Sequence, residues 1–167
     1  MKLARFCHHL AAQHPLKKGP LPKTFDVAFT EGGWLELWEN LELFKPTSAA
    51  KDKTRVYCFP PPNVTGSLHL GHALTVAVQD CLARWQRMKG YSVQWIPGYD
   101  HAGIATQLAV DKHLEKTLGK HRSQMERSEF LDYCEQWKNS RIHEIGHQLR
   151  RLGASLDYDK QYYTFDE

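Results

Sequence analysis

The chain has 167 residues, 41% of them hydrophobic and 25% charged, and a net charge of +3. It is long enough for one domain with its own core. No apolar run approaches the roughly 20 residues of a membrane span, and so small a basic excess does not by itself argue for a nucleic-acid partner.

In chain order, residues 1–24 come first. Lys2, Arg5, Lys17, Lys18 and Lys23 precede the first acid, Asp26, and Leu3, Phe6 and Leu10 recur at helical spacing. This reads as a basic N-terminal arm or a short mitochondrial transit segment, although it lacks serine and has one arginine. Pro15, Pro20 and Pro22 make "HPLKKGPLPK" an extended linker. Trp34, Leu35, Trp38, Leu41 and Leu43 predict a short amphipathic helix. "SAAKDK" follows as a polar loop, and Thr54–Phe59 as a buried strand.

From Ser67 to Lys89 the pattern is helical and Gly90 stops it. Its apolar stripe, Leu70, Leu74, Ala77, Val78, Cys81, Leu82, Trp85 and Met88, is the expected core face. Tyr91–Ile96 reads as a second strand ended by Pro97-Gly98. Helices are expected over Ile104–Leu118, closed by Gly119, and over Ser128–Leu152, closed by Gly153. The second has an apolar face of Leu131, Cys134, Trp137, Ile142, Ile145, Leu149 and Leu152. "SLDYDKQYYTF" reads as turn then strand. Strands alternating with long helices predict an α/β fold, a parallel sheet with flanking helices. In such sheets ligands bind at the carboxyl ends of the strands, where Pro60–His72 and Pro97–Gly103 lie. The four cysteines, Cys7, Cys58, Cys81 and Cys134, form no C-x-x-C pair and fit free, mostly buried thiols in a reducing compartment.

"PPPNVTGSLHLGH" (Pro60–His72) places two histidines three residues apart at a helix start. Such a start offers unpaired N–H donors and partial positive charge, which suit an anion, and two imidazoles add donors for phosphate oxygens. Gly71 lets a flat ring approach the backbone. The bland alternative is a pair of solvated helix histidines. A metal site would need third and fourth ligands, and no cysteine or acid stands at a usual spacing, so none is expected. In "WIPGYDHAGIATQ", Asp100 sits where a strand exits, as the binding of an ammonium group requires. Its bland alternative is a cap on the helix that follows.

At these residues the chain resembles the class I aminoacyl-tRNA synthetases. "HLGH" is similar to their HIGH signature, and the longer "PPPNVTGSLHLGHALT" and "DHAGIATQ" resemble the valyl-tRNA synthetases. So do "FLDYCEQWK" and "LRRLGASLDYD", and the likeness runs from about Phe25 to Glu167. Tyr99 departs from it, standing where that family usually has a small residue and the isoleucyl and leucyl enzymes an aromatic. The resemblance implies the N-terminal half of a Rossmann-like nucleotide-binding domain over residues 25–167, truncated before the editing, KMSKS-loop and anticodon-binding regions. It implies ATP-dependent activation of valine and transfer to tRNA(Val), with Mg²⁺ arriving on ATP and no tightly bound cofactor. His69 and His72 would be catalytic. Thr65, Gly66, His69, Gly71 and His72 would bind ATP, and Pro61, Pro62, Asn63 and Asp100 the amino acid. The compartment would be the mitochondrial matrix or the cytoplasm. Two other readings stand beside it: a non-catalytic synthetase-derived module that binds tRNA or protein, and a small H-x-G-H nucleotidylyltransferase. The second lacks its usual G-x-F-D-P strand exit and later Ser-Ser/Thr-x-x-Arg motif here.

Overall fold

The computed structural model describes residues 23–48 and 53–165, so the basic arm, the proline-rich linker and most of "SAAKDK" lie outside the described residues. The chain divides into two compact units between Lys45 and Pro46. In the first, helix α1 (Val27–Glu31) starts on Asp26, whose side chain accepts the Phe29 N–H. Helix α2 (Trp34–Asn40) follows from Gly33. The ring of Trp38 lies 6.2 Å from that of Trp34 and 5.9 Å from that of Phe44. The helix expected to reach Leu43 stops at Asn40, because the chain turns through a positive φ of 53° at Glu42.

The second unit is built on a β-α-β crossover. Strand β1 (Thr54–Cys58), helix α3 (Leu70–Met88) and strand β2 (Ser92–Ile96) follow one another. β1 and β2 pair in parallel, Thr54 with Ser92 through Cys58 with Ile96. Pro60–Pro62 have no N–H to donate and interrupt the ladder. It resumes at a bridge between Asn63 and Asp100, with Asp100 N donating to Pro62 O and Val64 N to Asp100 O, each at 2.9 Å. Pro97 interrupts the second strand without ending it. Strand β3 (Gly98–Tyr99) continues beyond and pairs in parallel with β4 (Tyr162–Tyr163). Helices α4 (Gly103–Leu118) and α5 (Arg127–Arg151) pack through Val110, Leu114 and Phe130. Both end where glycine takes a positive φ, 64° at Gly119 and 70° at Gly153, a conformation that costs residues with a Cβ. The α/β class and parallel pairing match the sequence expectation.

Four expectations about burial need correction. β1 is not a buried strand: Arg55 and Tyr57 are half-buried, while Thr54, Val56 and Cys58 are exposed. The apolar stripe of α3 does not face the core either. Leu70, Leu74, Ala77, Val78, Cys81, Leu82, Trp85 and Met88 are all exposed, Leu70 by 85% and Met88 by 87%. The helix turns inward the side carrying Val76, Gln79, Asp80, Ala83, Arg84 and Arg87, and there polar groups find partners. Asp80 accepts from Ser155 N, Ser155 Oγ and Arg84 Nε. Arg84 donates to Gly153 O, Arg87 to Ser155 Oγ and O, and Trp95 Nε1 to Gln79 Oε1. These bonds offset most of the penalty of burying those groups, so the polar side can pack inward. On α5, Leu131 and Leu152 are exposed and Phe130 is buried instead. Among the cysteines, Cys58 and Cys81 are exposed and Cys134 is half-buried, not mostly buried as expected; Cys7 lies outside the described residues.

The main core holds Phe59, Val64, Val93, Trp95, Tyr99, Ile145, Leu149, Ala154 and Leu156. It fixes α5 against the strand exits. Among the described residues, no helix is long and apolar enough to cross a membrane.

Candidate active site

The loop between β1 and α3 forms one wall of an open cleft of about 420 Å³. Pro61, Pro62, Asn63, Thr65, Gly66, His69 and His72 all line it. Asp100 does not line the cleft, but its backbone is bonded to the loop through Pro62 and Val64. Gly71 stands just outside.

α3 begins later than Ser67. Its N-cap is His69 and its first residue is Leu70. The two histidines act in place of the usual Ser/Thr and Glu/Gln of a capping box. His69 Nδ1 accepts the Gly71 N–H at 3.1 Å, and His72 Nδ1 accepts the His69 N–H at 3.2 Å. The backbone donors of His69 and Gly71, expected to await an anion, are therefore taken. What remains is chemically specific: with Nδ1 an acceptor on both rings, the neutral tautomer carries its proton on Nε2. The ring centroids are 4.0 Å apart, so two Nε2–H donors are presented side by side. A Cβ at Gly71 would come within 2.9 Å of His69 Cε1, so the flat ring that needs this glycine is, first of all, that of His69.

Desolvation, and then the neighbouring His69, hold the His72 pKa below the ordinary imidazole value of 6.5. His72 is therefore neutral at pH 7. On acidification the unfolded chain takes up this proton before the folded one does. Stability tied to His72 is complete above pH 6.5 and declines as pH falls below it. In an NMR titration the His72 ring is expected to show a midpoint below 6.5; a midpoint at or above it would remove the proposed neutrality.

Asp100 is engaged with the backbone at the start of α4. Oδ1 accepts the Ala102 N–H at 2.9 Å and the Thr164 hydroxyl at 3.0 Å; this fixes the turn before α4, whose N-cap is Ala102 and which has no side-chain cap of its own. It thereby holds Ala102, at the start of α4, in a left-handed conformation (φ 46°). Oδ2 has no partner among the described residues and is the oxygen left for a cation.

Other residues of the site have no local signature in the sequence. Three side chains of α5 hold the loop from behind: Trp137 Nε1 donates to Val64 O at 2.9 Å, Gln148 Oε1 accepts from Leu68 N at 2.8 Å, and Glu144 accepts from the Ser67 hydroxyl. They lie 73 to 80 residues from their partners. Thr75, which also lines the cleft, could have been found from its position three residues after His72 on the same helix face.

Against this geometry, the family model for tRNA synthetases class I (I, L, M and V) matches residues 33–167. The chain belongs to the class I tRNA synthetases. Among curated members, mitochondrial valine–tRNA ligase of Homo sapiens is 50% identical over 153 residues, and that of Sus scrofa 46% over 167 residues. Valine–tRNA ligase of Homo sapiens without the mitochondrial designation is 47% identical over 155 residues. The matched parts cover 89%, 95% and 89% of this chain. They are 14%, 16% and 12% of the relatives, so the chain spans well under a fifth of their length. The fold is also that of a solved synthetase, the LeuRS of Agrobacterium radiobacter in a ternary complex with tRNA and LeuAMS. The TM-score is 0.61 at 22% identity, over 80% of this chain and 15% of that one. Family membership sets aside the nucleotidylyltransferase alternative.

Proposed function

We propose that residues 25–167 are the N-terminal part of the catalytic domain of a valine–tRNA ligase, with the β1–α3 cleft as the seat of ATP. The observation that carries this reading is the pair of imidazoles lining the cleft, whose Nδ1 atoms are occupied by the backbone and whose Nε2–H groups have no partner among the described residues. In the proposed reaction a valine carboxylate oxygen attacks the α-phosphorus of ATP. The bond from that phosphorus to the bridging oxygen of the β-phosphate breaks, and pyrophosphate leaves with its Mg²⁺. The valyl group then passes to the terminal ribose of tRNA(Val), and AMP leaves. The chain supplies no nucleophile. His69 and His72 donate to the non-bridging oxygens as charge grows on them, while Thr65 and Gly66 line the cleft beside the nucleotide and Gly71 serves its binding by leaving room for the His69 ring. Pro61, Pro62 and Asn63 shape the amino-acid side of the loop, and Asp100 Oδ2 meets the ammonium group. Electrostatic stabilisation by pre-set donors is the main catalytic resource of such a site.

Valine as the amino acid is supported by the names and identity of the curated relatives. The basic, acid-free residues 1–25 support a mitochondrial location over a cytoplasmic one. The test is a chimera in which residues 25–167 replace the matching segment of a complete mitochondrial valine–tRNA ligase. Valine-dependent exchange of pyrophosphate into ATP is expected, with isoleucine and leucine far poorer. A folded chimera without exchange would end the reading, and exchange led by leucine or isoleucine would end the valine assignment.

A further inference from the structure

A second cavity, of about 550 Å³, lies between α5 and the β3–β4 pair and shares no lining residue with the cleft. His101, Lys138, His143 and Arg150 line it, and none of its lining residues is an acid. Its floor is unusual. Gly146 sits in the interior of the 25-residue helix α5, where glycine is less favourable than alanine. A Cβ there would lie 3.3 Å from the Tyr99 hydroxyl and 3.6 Å from Arg150 Nη1. The missing side chain thus leaves space at the point where a hydroxyl and a guanidinium converge.

Tyr99 is only 1% exposed, and its ring stacks on that of Tyr163 with centroids 5.4 Å apart. Its hydroxyl has no hydrogen-bond partner among the described residues, and Tyr99 lines the cavity, where a ligand could supply one. Burial, and then Tyr163, hold its pKa above the ordinary phenol value, so the group is a donor. At the rim, Lys138 Nζ is 3.0 Å from Glu135 Oε1, a carboxylate that is 67% exposed. A pair whose carboxylate is largely solvated contributes little and can yield to a better partner.

We propose that this cavity binds a phosphate group, which accepts from the Tyr99 hydroxyl and Arg150 above Gly146 and from Lys138, His101 and His143 around the rim. The donor set is cationic and convergent, as phosphate recognition requires. The phosphate is supplied either as a free ion or by the backbone of an RNA strand. The proposal does not depend on the catalytic reading, because its test measures binding alone.

The 167-residue chain is titrated at constant ionic strength with inorganic phosphate, with chloride as control, while the ring signals of His101 and His143 are followed by NMR. Saturable shifts with phosphate and none with chloride are expected. Tyr99→Phe removes a hydroxyl that bonds to nothing among the described residues and should weaken phosphate about tenfold. Gly146→Ala should weaken it further, and Lys138→Ala, at the half-exposed rim, gives a third variant whose folding is checked by circular dichroism. A short RNA oligonucleotide forms the second arm. Affinity well above that of inorganic phosphate identifies RNA as the source, and affinity no better identifies the free ion; both support the site. Absence of saturation with either ligand, or unchanged affinity in all three variants, would overturn it.

Discussion

Trp95→Ala is expected to cost the chain a large part of its stability. Trp95 is fully buried in β2 at the centre of the main core. Its ring meets Phe59 edge-on at 6.2 Å and its Nε1–H reaches Gln79 Oε1 across the α3 interface at 3.2 Å. Truncating a buried tryptophan costs about 3–5 kcal/mol through lost transfer energy and the cavity left behind. Here it also deprives a half-buried amide oxygen of its donor. Against a total stability of about 5–15 kcal/mol for a domain of ordinary size, that is between about a fifth and all of the margin. Urea titrations of wild type and variant, followed by circular dichroism, measure the loss. Trp95→Phe fills much of the space and should lose less. A loss below about 1 kcal/mol for the alanine variant would mean that the described core is not the one that holds the chain together.

His72→Ala, made in the chimeric enzyme, is expected to lower the rate of valyl-adenylate formation by about 10²–10³ while changing the KM for ATP little. The reasoning is differential. A neutral imidazole donating from Nε2 gains most when charge concentrates on the pentavalent phosphorus, and less in the ground state where ATP keeps its other contacts. The same ring also caps His69 N–H, so a fall in rate could reflect a loosened helix start. His72→Asn separates the two roles. An Asn side-chain oxygen can stand near the former Nδ1 and keep the cap, but nothing in it reaches the position of Nε2. Asn as poor as Ala assigns the effect to the donor. Asn close to wild type assigns it to the cap, and an unchanged rate in both removes His72 from the reaction. Pre-steady-state measurement of adenylate formation supplies the rate.

The elements were largely legible, because β-branched runs, prolines and glycine stops are local signals. Thr54–Phe59 and Tyr91–Ile96 were each placed to within a residue of the observed strands, and Gly119 and Gly153 closed the helices expected of them. What escaped was orientation. The stripe from Leu70 to Met88 is strongly amphipathic, but periodicity locates an apolar face without saying what covers it. The inward side of α3 was chosen by Asp80, Arg84 and Arg87 meeting the chain at Gly153 and Ser155, 68 to 75 residues away. The cleft was readable for the same reason as the strands, since its residues run almost unbroken from Pro60 to Thr75. Its supports on α5 were not, because no spacing links Trp137 to Val64 or Gln148 to Leu68 before the chain has folded.

The two exposed thiols give the molecule a built-in chemical readout. Among the described residues, Cys81 lies within the exposed apolar side of α3, and Cys58 lies on a different element, β1. In air, accessible thiols of this kind will join chains through intermolecular disulfides, so handling without reductant will create covalent dimers that say nothing about native assembly. Kept reduced, the same pair becomes useful. The alkylation rate of Cys81 relative to Cys58 rises or falls with whatever lies along the helix, be it detergent, a chaperone or further polypeptide, and Cys58 serves as the internal clock.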